Sequence, residues 1–336
     1  MTRPSLGLIG CGAAAERYYV PILRKHPGLC RDLYLVDRNI NQANKLRGQI
    51  GTASLAQDHR EILGKVQGAI ICVPHHMHYA ISMDFLRAGC HVLCEKPLAE
   101  SGREARELVF EAEKNGVTIA VNNTRRMFPS SQKVKEMVWS GQIGQLRSIR
   151  YFEAMAFGWE SATGFYVNPR ISSKGVLLDV GPHILDLICW WLQGRPKVIS
   201  YQDDSFGGPE SVAHLTARHA GCEIDVTINR LYDLPSGYKL EGDTGSLEGE
   251  VYGWNYLTFR AKSGVVRKIK LKAEQKLYAD FVKPIFLNFL DVIANGATPL
   301  IPGAAVLPSI EWIEACYQIR SRFDLPWYQS LEAALE

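Results

Sequence analysis

Leu6-Gly7-Leu8-Ile9-Gly10-Cys11-Gly12-Ala13-Ala14-Ala15 is an apolar run that passes through two glycines into small, helix-forming residues. The pattern is G-x-G-x-x-A between a strand and a helix. Gly10 permits a tight turn, Gly12 lets the backbone approach a pyrophosphate, and Ala15 is small enough for helix and sheet to pack closely. Ala13 and Ala14 open a helix whose unpaired N–H groups face the phosphate charge. Glycine at such a turn also serves geometry alone, so the next strand matters. It runs Leu33–Asp37, and Asp37 stands where a ribose-binding carboxylate belongs. A carboxylate there favours NAD, because it would repel a 2′-phosphate; Arg38 leaves NADP open, because a guanidinium can clamp one.

Outward from this loop the first third of the chain alternates strands and helices. Strands are expected at Leu6–Gly10, Leu33–Asp37, Ala69–Val73, His91–Cys94 and Thr118–Val121, and helices at Ala13–Lys25, Asn41–Gly48, Tyr79–Ala88 and Arg103–Lys114. This order implies βαβ units and a parallel sheet covered on both faces, an α/β Rossmann domain over 1–123. After Asn123 the texture changes. A helix at Gly181–Leu192 precedes alternating runs at Val212–His219, Glu223–Arg230, Tyr238–Leu240 and Leu257–Lys262. Turn signals separate them, among them Gly207-Gly208-Pro209, Ala220-Gly221, Pro235-Ser236-Gly237 and Ser263-Gly264. Residues 124–336 therefore read as an α+β domain with a large, mostly antiparallel open sheet, closed by helices at Phe281–Ala294 and Ala304–Arg322.

The 336 residues are 46% hydrophobic and 22% charged, ordinary globular values, and a net charge of +3 is too small to imply a nucleic-acid or membrane partner. Eight cysteines lie mostly in apolar stretches, which points to reduced thiols and a cytoplasmic location. Cys90 and Cys94 lack the second pair a structural zinc site needs. The N-terminus lacks signal-peptide regions. The apolar stretch Val176–Leu192 is interrupted by Asp179, His183 and Asp186, so it is not a membrane span.

Two further segments carry chemistry. His91-Val92-Leu93-Cys94-Glu95-Lys96-Pro97 ends a parallel strand at the edge where ligands bind in open α/β sheets. Pro97 restricts Lys96 to an extended backbone and so aims its amine, which can donate to a substrate oxygen. In Asp179-Val180-Gly181-Pro182-His183-Ile184-Leu185-Asp186, Pro182 belongs in a first helical turn. Asp179 is then expected near the N-cap, with His183 and Asp186 on its face and Val180, Ile184, Leu187 and Trp191 opposite. An imidazole near the positive end of a helix is biased to its neutral, proton-accepting form. Lys96 and His183 thus supply a donor and a base, the pair that alcohol oxidation needs.

His75, His76 and His78 follow Pro74 at a strand end. Adjacent loop side chains rarely converge, so no metal is expected; lining a nicotinamide pocket suits His75 or His78 better. Of Arg125 and Arg126, one is expected to reach the cleft and the other to face solvent. Trp159, Tyr166 and Arg170 precede the histidine helix and are candidates for the substrate wall.

Together the glycine loop, Cys94-Glu95-Lys96-Pro97 and Asp179-x-x-x-His183 resemble the glucose–fructose oxidoreductase/inositol dehydrogenase/MocA family, over nearly the whole chain. The resemblance implies NAD(P)-dependent hydride transfer to or from a secondary hydroxyl of a sugar, cyclitol or derivative. It implies a reaction centre of Lys96, Asp179 and His183, and a homodimer or homotetramer built on the second sheet. The cofactor wall implied is Gly10, Gly12, Ala13, Ala14, Asp37 and Arg38, continued by Pro74, His75, His78, Glu95, Lys96, Asn123 and Arg125. Two rivals are a glycoside hydrolase using transient oxidation and a non-catalytic dinucleotide-binding module. The family's usual three glycines before the catalytic helix are here Ser173-Lys174-Gly175, and Lys174 is expected to bring a charge toward an acidic substrate.

Overall fold

The structure is a computed structural model that describes residues 3–160, 164–172, 174–325 and 328. Six strands form the first sheet: β1 (Leu6–Ile9), β2 (Leu33–Val36), β3 (Ser54–Ala56), β4 (Gly68–Ile71), β5 (His91–Cys94) and β6 (Ile119–Val121). Their order is β3-β2-β1-β4-β5-β6 and every pairing is parallel. β1 and β4 are buried at all their positions, as a sheet covered on both faces requires. The strand order reverses between β1 and β4, and that switch point opens a crevice at the carboxyl ends.

The second sheet has nine strands. They are β7 (Leu146–Ala154), β8 (Lys197–Asp203), β9 (Val212–His219), β10 (Cys222–Asn229), β11 (Leu234–Gly242), β12 (Gly245–Glu250), β13 (Tyr256–Ala261), β14 (Val266–Lys270) and β15 (Ser321–Arg322). In the order β14-β13-β12-β11-β7-β10-β9-β8-β15, only β7/β10 and β8/β15 pair in parallel. β10 alternates buried and exposed residues along most of its length, so one face packs on helices while the other is open. The packed face meets the helices Gly181–Leu192 and Leu307–Gln318 around Trp191, Trp312 and Tyr201. The helix Val282–Asn295 returns to the first domain, where Val282, Phe286 and Phe289 join its core.

Three expectations need correction. Pro235-Ser236-Gly237 is not a turn but lies inside β11, where the register shifts between Leu234 and Gly237. A bulge is where an interior strand tolerates proline, and the Ser236 hydroxyl fills the gap by accepting from the Ala154 N–H at 2.9 Å. The final helix is shorter than Ala304–Arg322. A 3₁₀ turn covers Gly303–Val306, the α-helix runs Leu307–Gln318 with Pro308 in its first turn, and Ser321–Arg322 is β15. Asp179 does not cap the histidine helix. It ends a separate helix, Val176–Asp179, and Val180 holds the N-cap of Gly181–Leu192. A proline ring collides with the carbonyl four residues earlier, so Pro182 starts a new helix.

Candidate active site

A cleft of about 1310 Å³ runs along the carboxyl edge of the first sheet and is closed on its other side by residues of the second domain. It exceeds the range of a single small-ligand pocket, roughly 300–1,000 Å³. Gly10, Gly12, Ala13, Ala14, Asp37 and Arg38 all line it. Gly10 has φ +89°, and a Cβ there would sit 2.5 Å from the Cys72 carbonyl oxygen. Gly12 meets no heavy atom within 4 Å of a built Cβ, leaving its backbone open to an approaching ligand. The helix after the loop begins with a π-turn over Ala15–Tyr19; such turns recur at functional sites. The Asp37 carboxylate accepts from the Cys11 N–H at 2.9 Å and the Asn39 N–H at 2.8 Å. It therefore fixes the glycine loop besides facing the cleft. An open backbone cradle at a helix start, with a carboxylate beside it, fits a dinucleotide.

The remaining candidates for this wall divide. Pro74, His75, His78, Glu95, Lys96 and Arg125 line the cleft, whereas Asn123 is buried away from it. His78 is fully buried with Nδ1 2.6 Å from the Pro97 carbonyl oxygen and Nε2 2.8 Å from that of Val73. It braces the ends of two strands, and burial outweighs those carbonyls to hold its pKa at about 4. Glu95 accepts from Tyr19 at 2.9 Å and from Asn122 at 2.7 Å; burial raises its carboxyl above the ordinary range against those bonds.

Lys96, Asp179 and His183 face the same cleft from different domains. Lys96 Nζ donates to Asp179 Oδ1 and to the Asp179 carbonyl, both at 2.8 Å. The other carboxylate oxygen lies 3.5 Å from Arg230 Nη2. Burial, then the charges of Lys96 and Arg125 and the neighbouring His75, push His183 well below its ordinary pKa. The ring is thus neutral near pH 7, with a free lone pair in place of an imidazolium's second proton. Among the described residues its Nδ1 has no hydrogen-bond partner.

The loop–helix junction that carries Asp179 is pinned by Glu210. Its carboxylate accepts from the Gly175 and Leu177 N–H groups at 2.9 Å and from the Tyr317 hydroxyl at 2.7 Å. The Glu210 carbonyl accepts from Val176 N–H at 2.8 Å. A Cβ on Gly175 would lie 2.0 Å from that carbonyl oxygen, which is why glycine stands here although its two predecessors are Ser173 and Lys174. Ser173 lies outside the described residues. Lys174 donates to the Glu100 carbonyl at 3.0 Å and does not line the cleft.

Neither tandem arginine faces solvent. Arg125 forks onto Glu153 at 2.6 and 2.7 Å, and Arg126 onto Asp186 at 2.7 and 2.6 Å, all four side chains being buried. Asp186 is thereby removed from the reaction centre. Bidentate pairs of this kind replace the water each charge loses. Trp159 lines the cleft mouth under the Arg17 guanidinium, 4.6 Å from its ring centre, and Tyr166 packs on His75. Arg170 is exposed and off the cleft. Sequence reasoning missed Arg230, Glu153, Tyr252 and Glu210. Arg230 closes the expected strand Glu223–Arg230, but nothing in that pattern placed its end at the cleft; the observed strand stops at Asn229.

The fold and this cleft define a protein of two sheets with a dinucleotide-binding cleft between them. Family models match both parts: the oxidoreductase family with an NAD-binding Rossmann fold over residues 5–123, and the GFO/IDH/MocA C-terminal domain over 131–248. The chain belongs to the Gfo/Idh/MocA family. It is 31% identical over 211 residues to D-glucoside 3-dehydrogenase of Escherichia coli (strain K12), covering 60% of this chain and 57% of that one. To 1,5-anhydro-D-fructose reductase of Ensifer adhaerens it is 25% identical, covering 72% of this chain and 74% of that one. Among solved structures, an oxidoreductase domain protein from Kribbella flavida superposes with a TM-score of 0.83 at 23% identity, over 95% and 97% of the two chains. Levoglucosan dehydrogenase in complex with NADH and levoglucosan gives 0.82 at 19% identity, over 94% and 96%.

Proposed function

We propose that this protein is an NAD-dependent dehydrogenase acting on a secondary hydroxyl of a sugar, cyclitol or derivative, with ketone reduction as the reverse reaction. The observation that carries the reading is the Lys96–Asp179 contact across the domains at the sheet's carboxyl edge, with a neutral His183 in the same cleft. Lys96 Nζ holds the carbinol oxygen, and His183 takes the hydroxyl proton. Asp179 positions Lys96 through the carboxylate and carbonyl contacts to Nζ. The cleft residues Gly10, Gly12 and Asp37 would hold the dinucleotide, which when bound would supply the hydride acceptor. Proton transfer by a placed base contributes roughly 10²–10⁴-fold in rate. The named activities of the relatives, a glucoside 3-dehydrogenase and an anhydrofructose reductase, support the same substrate class.

Asp37 favours NAD over NADP by repelling a 2′-phosphate, with Arg38 beside it as the residue that admits one. A cytoplasmic enzyme that forms a homodimer or homotetramer through the open face of the second sheet completes the reading. No helix among the described residues is long and apolar enough to cross a membrane. The test is reduction of NAD⁺ and NADP⁺ across sugars, cyclitols and sugar acids, with Lys96→Ala as control. Turnover by wild type and loss of it in Lys96→Ala supports the reading. Cofactor-dependent glycoside cleavage without net reduction would replace it with the redox-assisted hydrolase.

A further inference from the structure

Three arginines are buried among the described residues, and their partners differ. Arg125 and Arg126 each fork onto a carboxylate of their own, Glu153 and Asp186. Arg230, at 6% exposure, lines the cleft but shares Asp179 with Lys96, and its contact is the longer one, 3.5 Å against 2.8 Å. Among the described residues its Nε and Nη1 have no hydrogen-bond partner. One face of the guanidinium lies 5.1 Å from the Phe157 ring centre, which holds it without satisfying any N–H. Of the buried cleft carboxylates, Glu153 is committed to Arg125 and Glu95 to Tyr19 and Asn122, while Glu160 lines the cleft as an exposed residue.

A guanidinium removed from water is stabilised by an acceptor that carries charge, and its planar donors match a carboxylate. A neutral hydroxyl satisfies an N–H and leaves the charge uncompensated. We infer that Arg230 selects the substrate: it binds a carboxylate on a sugar acid or related polyhydroxy acid, close to the carbinol that Lys96 holds. Lys96 and Arg230 grip opposite oxygens of the same Asp179 carboxylate, so the two substrate oxygens they meet lie side by side. The acid group therefore sits on the carbon next to the oxidised one, or one further along. This inference rests on the dehydrogenase reading and narrows its substrate class.

The experiment compares kcat/KM with NAD⁺ for D-gluconate and D-glucuronate against D-glucose and myo-inositol, in wild type, Arg230→Gln and Arg230→Lys. Wild type is expected to prefer the acids by about tenfold or more. The acid-to-neutral ratio is expected to fall roughly 10- to 100-fold in Arg230→Gln, the range of one charge-assisted hydrogen bond, and less in Arg230→Lys. A wild type without acid preference overturns the inference, as does an Arg230→Gln that slows acids and neutral sugars by the same factor. If no compound is oxidised, the dehydrogenase reading fails on its own. The same four compounds are then titrated into the enzyme–NADH complex by NADH fluorescence. Tighter binding of gluconate than glucose, lost in Arg230→Gln, upholds the role of Arg230; equal or absent binding overturns it.

Discussion

The two walls of the cleft are built from different material. The first is backbone: Gly10 presses against the Cys72 carbonyl, Gly12 leaves open space, and the following helix start offers N–H groups. The second is side chains held by other side chains, with Arg125 on Glu153 and Asp179 between Lys96 and Arg230. A backbone cradle suits a ligand with a constant pyrophosphate, because it reads charge and shape rather than substituents. A charged side-chain wall suits a variable substrate, because one substitution changes what it accepts. The two meet at Lys96, which leaves the first sheet and bonds to the second domain.

Two glycines offer the sharpest way to break this division, since a Cβ added at either would sit inside contact distance of a carbonyl. Gly10→Ala adds a Cβ to a residue at φ +89°, and strain plus overpacking cost about 3 kcal/mol. It is expected to abolish NAD⁺ binding, as followed by fluorescence titration. Gly175→Ala is expected to abolish turnover while NAD⁺ still binds, because the displaced segment carries Asp179. Loss of cofactor binding in both variants would mean that the walls are not separable.

A smaller effect is expected at Glu210. Glu210→Gln keeps the shape but weakens the bonds to Gly175 and Leu177 N–H, each worth about 1–3 kcal/mol when charged. The expected outcome is a lower kcat with an unchanged cofactor KM, read in steady state. A parallel rise in cofactor KM would place Glu210 in general stability rather than in the second wall.

The smallest effect concerns pH. His75, His78 and His183 are all held below their ordinary pKa by burial. The unfolded chain then binds more protons than the folded one once pH drops below about 6.5, so stability falls with pH. For His78 the loss runs from 6.5 down to about 4. Thermal unfolding at about pH 7.5 and pH 5 is expected to show a melting temperature lower by about 5 °C in acid. The raised carboxyls of Glu95 and Glu210 act in the opposite sense. His78→Gln isolates the histidine part, and an acid shift as large as that of wild type would contradict it.

Legibility in the sequence followed the same division. The glycine loop, Asp37 and the Lys96 strand end are local patterns, and each stands where the chain order put it. Helix Gly181–Leu192 and strand Val212–His219 have the expected bounds because their periodicity is uninterrupted. The second wall was read only in part, because its partners are far apart in the chain. Glu153 and Arg125 lie on different elements, and Glu210 reaches Gly175 from a loop. The expectation that one of Arg125 and Arg126 faces solvent fails at Arg126, which is buried. Its partner Asp186 sits 60 positions later, beyond any local pattern. The break at Pro182 was visible as a helix start, but that Asp179 closes a helix of its own depends on Glu210 capping Val176–Asp179 from outside.

The central claim is that His183 serves chemistry at the reaction centre and not the binding of the cofactor. The most direct test measures kcat and the NAD⁺ dissociation constant together in His183→Ala, on the best substrate of the wild type. The account predicts a fall in kcat of roughly 10²–10⁴-fold with the dissociation constant within about threefold of wild type. Unchanged turnover, or lost cofactor binding, would contradict it.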